Sequence, residues 1–261
     1  MTGRTDRLAL VTGATSGIGL ATARTLAEGG WSVFVCARTE ADVTATVKRL
    51  REEGHRVDGT CCDVRSPHGV RALVAIAVDR FGPVDVLVNN AGRNGGGRTA
   101  TLEDAVWYDV IDTNLNSVFL VTREVLRSGG MPARGRGRII SIASTAGKQG
   151  VALAAPYSAS KHGVVGFTKA LALELAEQGV TVNAVCPGYV ETPMAERVRR
   201  GYAAHSGTTE EDVLRRFRAK IPIGRYTTPE EVAGLVGYLA SDAAAAITAQ
   251  AMNVCGGLGR Y

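Results

Sequence analysis

The stretch Leu8-Ala9-Leu10-Val11-Thr12-Gly13-Ala14-Thr15-Ser16-Gly17-Ile18-Gly19 decides the fold. Leu8–Val11 is a short apolar run of the kind that forms a buried strand. It leads into the glycine turn Thr12–Gly19, followed by Leu20, Ala23, Leu26 and Ala27 at helical spacing. Strand, glycine turn and helix, in that order, is the context that a dinucleotide fingerprint needs. Glycines let the backbone turn tightly and approach a pyrophosphate, whose charge is favoured at a helix N-terminus. The spacing is Gly-x-x-x-Gly-x-Gly rather than the common Gly-x-Gly-x-x-Gly. A glycine turn alone can be a mere tight connection, but its flanks here favour ligand binding.

Outward from that turn, apolar runs alternate with helical patterns. Strands are expected at Leu8–Val11, Ser32–Ala37, Val57–Cys61, Val84–Asn89, Arg138–Ile142, Val180–Val185 and Ala251–Cys255. Helices are expected at Gly17–Glu28, Glu40–Glu53, Pro67–Phe81, Leu102–Leu126, Ala155–Glu177 and Pro229–Ser241. The alternation implies an α/β fold: a Rossmann-like, doubly wound parallel sheet of about seven strands with helices on both faces. No repeat, low-complexity tract or linker interrupts it, so residues 1–261 read as one domain. Two segments break the rhythm. Gly92–Gly97 is a glycine-rich loop at a strand end, and residues 188–223 form a long, arginine-rich connection. Its length suggests a lid over a ligand crevice, with a solvated helical excursion as the alternative.

At 261 residues and 45% hydrophobic content, the chain can bury a large core. No apolar run approaches the roughly 18 residues of a membrane span. Met1–Arg7 is polar and has no signal-peptide apolar region, so a cytoplasmic location is expected. Cys36, Cys61, Cys62, Cys186 and Cys255 lie mostly in strand-like runs without a Cys-x-x-Cys, and read as reduced packing residues. The histidines at 55, 68, 162 and 205 form no ligand spacing, so no metal site is expected. A net charge of +5, with no basic stretch interleaved with aromatics, argues against nucleic-acid binding. It suits anionic ligands, such as a phosphorylated cofactor or an acidic partner.

Tyr157 and Lys161 lie four residues apart in Tyr-Ser-Ala-Ser-Lys, thirteen residues after Ser144. That spacing puts phenol and ammonium on one helix face. A phenol titrates near pH 10, and a fixed cation beside it is expected to lower that value toward useful proton transfer. Such a pair occurs often on solvated helix surfaces, so its weight comes from the upstream glycine turn. Ser144 also raises the question of a serine hydrolase, but there is no Gly-x-Ser-x-Gly elbow and no histidine placed to activate it.

Over essentially its whole length the chain resembles the short-chain dehydrogenase/reductase family. Thr12–Gly19 is similar to the family's cofactor loop, Asn89-Asn90-Ala91-Gly92 to its strand-end motif, and Ser144, Tyr157 and Lys161 to its catalytic set. Asn114, in Asp112-Thr113-Asn114-Leu115, matches the fourth catalytic position. The resemblance implies hydride transfer from a nicotinamide cofactor, with Ser144 polarising a carbonyl and Tyr157 giving it a proton. Lys161 would bind the nicotinamide ribose, and Asn114 would hold a water linking Lys161 to solvent. Thr12, Gly13, Gly17, Ile18 and Gly19 would hold the pyrophosphate end, and Thr15 and Ser16 could add hydroxyl donors toward a 2′-phosphate. Asp63 and Val64 would meet the adenine, with a helix N-cap as the alternative for Asp63. Asn90 and Gly92 would line the ribose, and Pro187, Gly188, Val190 and Thr192 the nicotinamide amide. The second strand ends Ala37-Arg38-Thr39 with no acid at its tip. Arg38 suits a 2′-phosphate, which favours NADPH, although it could simply stack on adenine.

Several stretches resemble ketoreductases of aromatic (type II) polyketide synthases: Val33–Arg38, Gly147–Gly150, Ala184–Gly188 and Asn253–Gly257. That resemblance implies reduction of one carbonyl, typically C9, of a poly-β-ketone on an acyl carrier protein. Where that group often has Pro-Gly-Gly, this chain has Asn94-Gly95-Gly96, which leaves stereochemistry open. Gln149, Val151, Leu153, Met194 and Tyr202 are further candidate pocket residues, and Arg38, Arg65 and Arg93 a candidate basic rim for the carrier protein. A homotetramer is also implied. The alternatives are a fatty-acid-type 3-oxoacyl-thioester reductase and a non-catalytic NADP-binding sensor.

Overall fold

A computed structural model describes residues 7–259. All seven expected strands form, within a residue or two of their expected ends. They are β1 (Leu8–Thr12), β2 (Ser32–Ala37), β3 (Val57–Cys61), β4 (Val84–Asn89), β5 (Gly137–Ile142), β6 (Val180–Pro187) and β7 (Ala251–Val254). They build one sheet in the order β3-β2-β1-β4-β5-β6-β7. Every pairing is parallel. The strand order reverses between β1 and β4, so the chain winds outward in both directions from that point.

Side chains alternate across the strands, and each strand therefore feeds two cores. Ala9, Val11, Val33 and Val35 pack on one face with residues of α1 (Gly17–Glu28), α2 (Glu40–Glu52) and α9 (Pro229–Ala240). Leu8, Leu10, Phe34 and Cys36 pack on the other with α3 (Pro67–Phe81), α5 (Ser117–Ser128) and α6 (Ala155–Leu175). Burial on both faces is why these strands are nearly continuous apolar runs.

Two expectations need correction, and a third segment gains detail. The helix expected over Leu102–Leu126 is two helices, α4 (Asp104–Ile111) and α5, joined by a π turn at Asp112–Asn116. Periodicity alone does not reveal one extra residue in a continuous helical path. Asp63 is not the cap of α3, because Ser66 accepts the Gly69 N–H at 3.1 Å there. The segment 188–223 is largely helical, with α7 (Pro193–Ser206) and α8 (Glu210–Arg218) closing on their own core of Ala203, Val213, Phe217, Ile221 and Tyr226. Tyr189 stacks between Phe217 and Tyr226 in that core, with centroids 4.8 and 5.2 Å away. The excursion thus has packing of its own besides its many charges. Residues 1–6, which belong to the polar start on which the cytoplasmic expectation was based, lie outside the described residues. Among the described residues, no helix is long and apolar enough to cross a membrane. The cysteines are free, and only Cys61 is exposed.

Asp85 at the start of β4 is buried and accepts the Leu8 N–H at 3.0 Å, with Arg134 and Arg136 each 3.4 Å away. Asp85→Ala orphans that N–H at the edge of the central strand pair. Urea unfolding is expected to show a loss of about 1–3 kcal/mol, the cost of one buried unsatisfied group.

Candidate active site

The candidate residues gather at the C-terminal ends of β1, β4, β5 and β6, the side on which ligands bind at a switch point. There, Thr12 links the two central strands. Its hydroxyl accepts the Asn90 and Ala91 N–H groups, both at 3.0 Å, and donates to Val88 O at 3.4 Å. The Asn90 side chain returns the link by donating to Thr12 O at 2.9 Å and Gly13 O at 2.8 Å. The Asn90 amide therefore braces the glycine turn, and its backbone N–H is committed to Thr12 as well. Gly13 and Gly17 have φ of +64° and +52°, and a Cβ on Gly19 would lie 2.2 Å from Gly13 O. The turn fits only without side chains at these points.

Ser16 caps α1 without a side-chain hydrogen bond and is exposed, as an anion at that helix N-terminus would need. Thr192 also reaches this place, since a Cβ on Gly17 would meet its Cγ2 at 3.1 Å. Its hydroxyl caps α7 by accepting the Ala195 N–H at 3.2 Å. Arg38 stands exposed at the tip of β2, beyond partly buried Ala37. Val64 and Val190 are buried, and Gly188 donates to Val254 O at 3.0 Å.

On the other side of the switch point, Ser144 follows β5 and opens a tight 3-10 turn (Thr145–Gly147) by accepting the Ala146 N–H at 3.1 Å. A Cβ on Gly147 would lie 2.6 Å from Lys161 O, so glycine is what lets this turn lie against α6. The Ser144 hydroxyl neighbours the Tyr157 phenol and favours its ionised form. The Lys161 ammonium is buried, donates to Ile142 O at 2.7 Å and lies 5.8 Å from the centre of the Tyr157 ring.

The acid–base expectation changes at this point. Burial pushes the Tyr157 phenol above its ordinary value, and the neighbouring Ser144 hydroxyl offsets only part of that. The ring keeps some exposure, but its hydroxyl end is deep enough for desolvation to dominate. Burial also pushes the Lys161 ammonium down to about 8. Desolvation disfavours both charged forms and outweighs the attraction that would lower the phenol. The phenol therefore holds its proton at neutral pH, in the form an acid must have.

Asn114 lies within the π turn and is fully buried. Its Oδ1 accepts the Arg93 N–H at 2.8 Å, and its Nδ2 donates to Arg93 O at 2.9 Å and Ser160 Oγ at 3.1 Å. Ser160 in turn donates to Tyr157 O at 2.7 Å. Both amide hydrogens are committed, so the expected water contact would fall to the backbone of Asn114 or the remaining Oδ1 lone pair. Gly92 lies between Asn114 and Lys161, and a Cβ there would be 3.3 Å from Asn114 Oδ1 and 3.7 Å from Lys161 Nζ. Sequence reasoning missed Ser160. Its signal was position, one residue before Lys161 and one helical turn after Tyr157.

The candidate pocket residues are brought together less completely. Gly97 N donates to Leu153 O at 2.8 Å, which closes the Asn94-Gly95-Gly96 loop onto the segment holding Val151 and Leu153. Leu153 has φ +62°, a strained value for a bulky side chain, and both it and Val151 are exposed. Gln149 and Met194 are partly buried. Tyr202 packs edge-on against Phe217, 5.3 Å between centroids, within the α7–α8 core. Of the three rim arginines, Arg65 is clamped by Asp63 (2.6 Å) and Asp109 (2.6 Å), and Arg93 also pairs with Asp109. Their charges are matched internally, and of the three only Arg38 stands as an unmatched rim cation. Among the described residues no cluster suits a metal ion.

Lys161 also sets a linkage. Its folded value, about 8, lies below the ordinary 10.5, so between those pH values the unfolded chain binds more protons and stability rises with pH. Below that window the amine is charged in both states and its burial penalty is complete. Urea unfolding at the two ends of the window is expected to give a gain of roughly 1–3 kcal/mol that Lys161→Met abolishes.

Comparison with known proteins agrees with this geometry. The family model described as short chain dehydrogenase matches residues 7–203. A ketoacyl reductase named for the monensin polyketide synthase of Streptomyces virginiae is 70% identical over 261 residues, covering 100% of both chains. The 3-oxoacyl-[acyl-carrier-protein] reductase FabG of Vibrio cholerae is 39% identical over 252 residues, covering 97% of each. A crystal structure of an actinorhodin polyketide ketoreductase variant with NADPH superposes with a TM-score of 0.96 at 62% identity, covering 98% of each chain. The chain belongs to the short-chain dehydrogenase/reductase family of oxidoreductases.

Proposed function

We propose that the chain is an NADPH-dependent ketoreductase of aromatic polyketide assembly, reducing one carbonyl, C9 by expectation, of a poly-β-ketone on an acyl carrier protein. The observation that carries the chemistry is the gathering of Ser144, Tyr157 and buried Lys161, whose ammonium lies 5.8 Å from the Tyr157 ring, at the strand ends that adjoin the glycine turn. Full-length identity of 70% to a polyketide ketoacyl reductase, against 39% to a fatty-acid-type reductase, supports the substrate class.

The residues present fit the cofactor. The side-chain-free cradle at Gly19 and the uncommitted Ser16 hydroxyl suit a pyrophosphate. Arg38, with no acid at the β2 tip, suits a 2′-phosphate, and the related actinorhodin enzyme was crystallised with NADPH. When bound, the cofactor supplies hydride to the substrate carbonyl carbon. Ser144 donates a hydrogen bond to the carbonyl oxygen and holds the phenol in line with it. Tyr157 gives its Oη proton to that oxygen as negative charge develops there. Lys161, still largely protonated at pH 7, stabilises the phenolate left behind and fixes the ribose. Asn114 fixes the glycine loop and passes protons back through a water at its backbone.

Trp107, Tyr108, Phe119 and Leu173 on α4, α5 and α6 are exposed apolar side chains, which supports burial of that surface in a homotetramer. The carrier protein meets a rim that holds Arg38, Arg65 and Arg93, of which Arg65 and Arg93 pair with Asp109. A cytoplasmic location is part of the same reading.

Two experiments test it. NADPH oxidation is expected to be at least about tenfold more efficient, as kcat/KM, with a fused bicyclic ketone than with a short acetoacetyl thioester, a gap of roughly 1.4 kcal/mol. Preference for the short thioester would instead indicate the fatty-acid-type reaction, and NADPH binding without turnover a sensor. Tyr157→Phe is expected to lower kcat roughly 10²- to 10⁴-fold while leaving NADPH affinity, read by fluorescence titration, nearly unchanged.

A further inference from the structure

The glycine loop 92–97 belongs to no helix or strand, yet it borders the candidate pocket. Two backbone anchors hold its ends: Asn114 takes both polar backbone atoms of Arg93, and Leu153 O takes the Gly97 N–H. Between these anchors lie Asn94, Gly95 and Gly96, and the two glycines bring little backbone restraint of their own. One side chain reaches the first residue of that gap. Arg93 gives its Nε to Asn94 O at 3.2 Å and its Nη1 to Asp109. Asp109, on α4, directs its other carboxylate oxygen to Arg65 Nη1 at 2.6 Å. Arg65 is itself forked onto Asp63, with its Nε 3.0 Å from Oδ1 and its Nη2 2.6 Å from Oδ2.

We infer that Asp109 is a positioning residue that clamps the substrate loop. By orienting the Arg93 guanidinium it fixes the Asn94 carbonyl. Through Arg65 it ties the substrate loop to the loop after β3 at the cofactor end of the crevice. A continuous polar chain then runs from Asp63 through Arg65, Asp109, Arg93, Asn114 and Ser160 to the backbone of Tyr157. The role follows from the alternation of charges. Each arginine meets a carboxylate on both sides or a backbone carbonyl, so moving one end pulls on the next. Single exposed ion pairs contribute little, whereas a shared carboxylate between two bidentate-capable arginines holds geometry better than either pair alone. Nothing in this role requires Asp109 to touch the substrate.

The inference rests on the ketoreductase reading for its kinetic consequence but not for its structural one, and the test separates the two. Amide hydrogen exchange over residues 92–97 is expected to accelerate about three- to fivefold in Asp109→Asn and by a similar factor in Arg93→Gln. The double variant is expected to exchange no faster than either single one, because both cut the same link. In steady-state assays with a fused bicyclic ketone, Asp109→Asn is expected to raise the KM for ketone about three- to fivefold with kcat within about twofold. Asp109→Glu is expected to restore most of the KM. Wild-type exchange rates over 92–97 in both single variants, or additive acceleration in the double, would overturn the clamp. So would a kcat loss with unchanged KM, which marks Asp109 as acting on chemistry instead. Because exchange needs no turnover, the clamp is decided even if the wild-type protein reduces no ketone, a result that would count only against the ketoreductase reading. Should Asp109→Asn not fold, Arg93→Gln reads the same link from the other side.

Discussion

The Thr12 hydroxyl is the contact on which the site depends. It receives two backbone N–H groups from the end of β4, while Asn90 from that end reaches back to two carbonyls of the glycine turn. These bonds lock together the two strands between which the winding direction reverses. Seven parallel strands place all their C-terminal ends on one side, and helices leave from those ends toward both faces. In such a fold, helices that diverge at the reversal leave a crevice outside the strand ends. Thr12 and Asn90 hold its floor, and the segments after β5 and β6 form its far wall.

Burial also sets the chemistry of that wall. Taken alone, a lysine near a tyrosine lowers the phenol's pKa; within this wall, desolvation of both groups prevails. The arrangement holds a neutral phenol beside the Ser144 hydroxyl and a lysine whose charge is weakly held. Proton donation from such a phenol leaves a phenolate beside an ammonium, and the attraction between the two offsets part of the cost of burying each charge. The polar groups farther out are matched pairwise, as at Asp63, Arg65, Asp109 and Arg93, so the rim is ordered without a large net charge.

Much of this was legible in the chain. Periodicity found the strands because parallel strands buried on both faces are continuous apolar runs, and it found the long helices because one face of each is buried. The glycine turn was legible because only residues without side chains fit its close approaches. The resemblance to a family carried Ser144, Tyr157, Lys161 and Asn114 into place. What escaped was local. A π turn adds one residue to a helical path and leaves the apolar pattern of Leu102–Leu126 unbroken, so two helices read as one. Ser160 and Asp109 act through partners 46 and 44 residues away in the chain, and no spacing announces such pairings.

The sequence by itself determined the order of elements, the parallel sheet and the identity of the groups able to move a proton, because these depend on residue type and local repeat. Tertiary structure decided the protonation state of Tyr157, the commitment of the Asn114 amide and the pairing of Arg65 and Arg93. Each of those depends on how deeply a group is buried and which distant group faces it. Desolvation and hydrogen-bond partnership belong to the folded arrangement, and they exist only once strands far apart in the chain have been brought side by side.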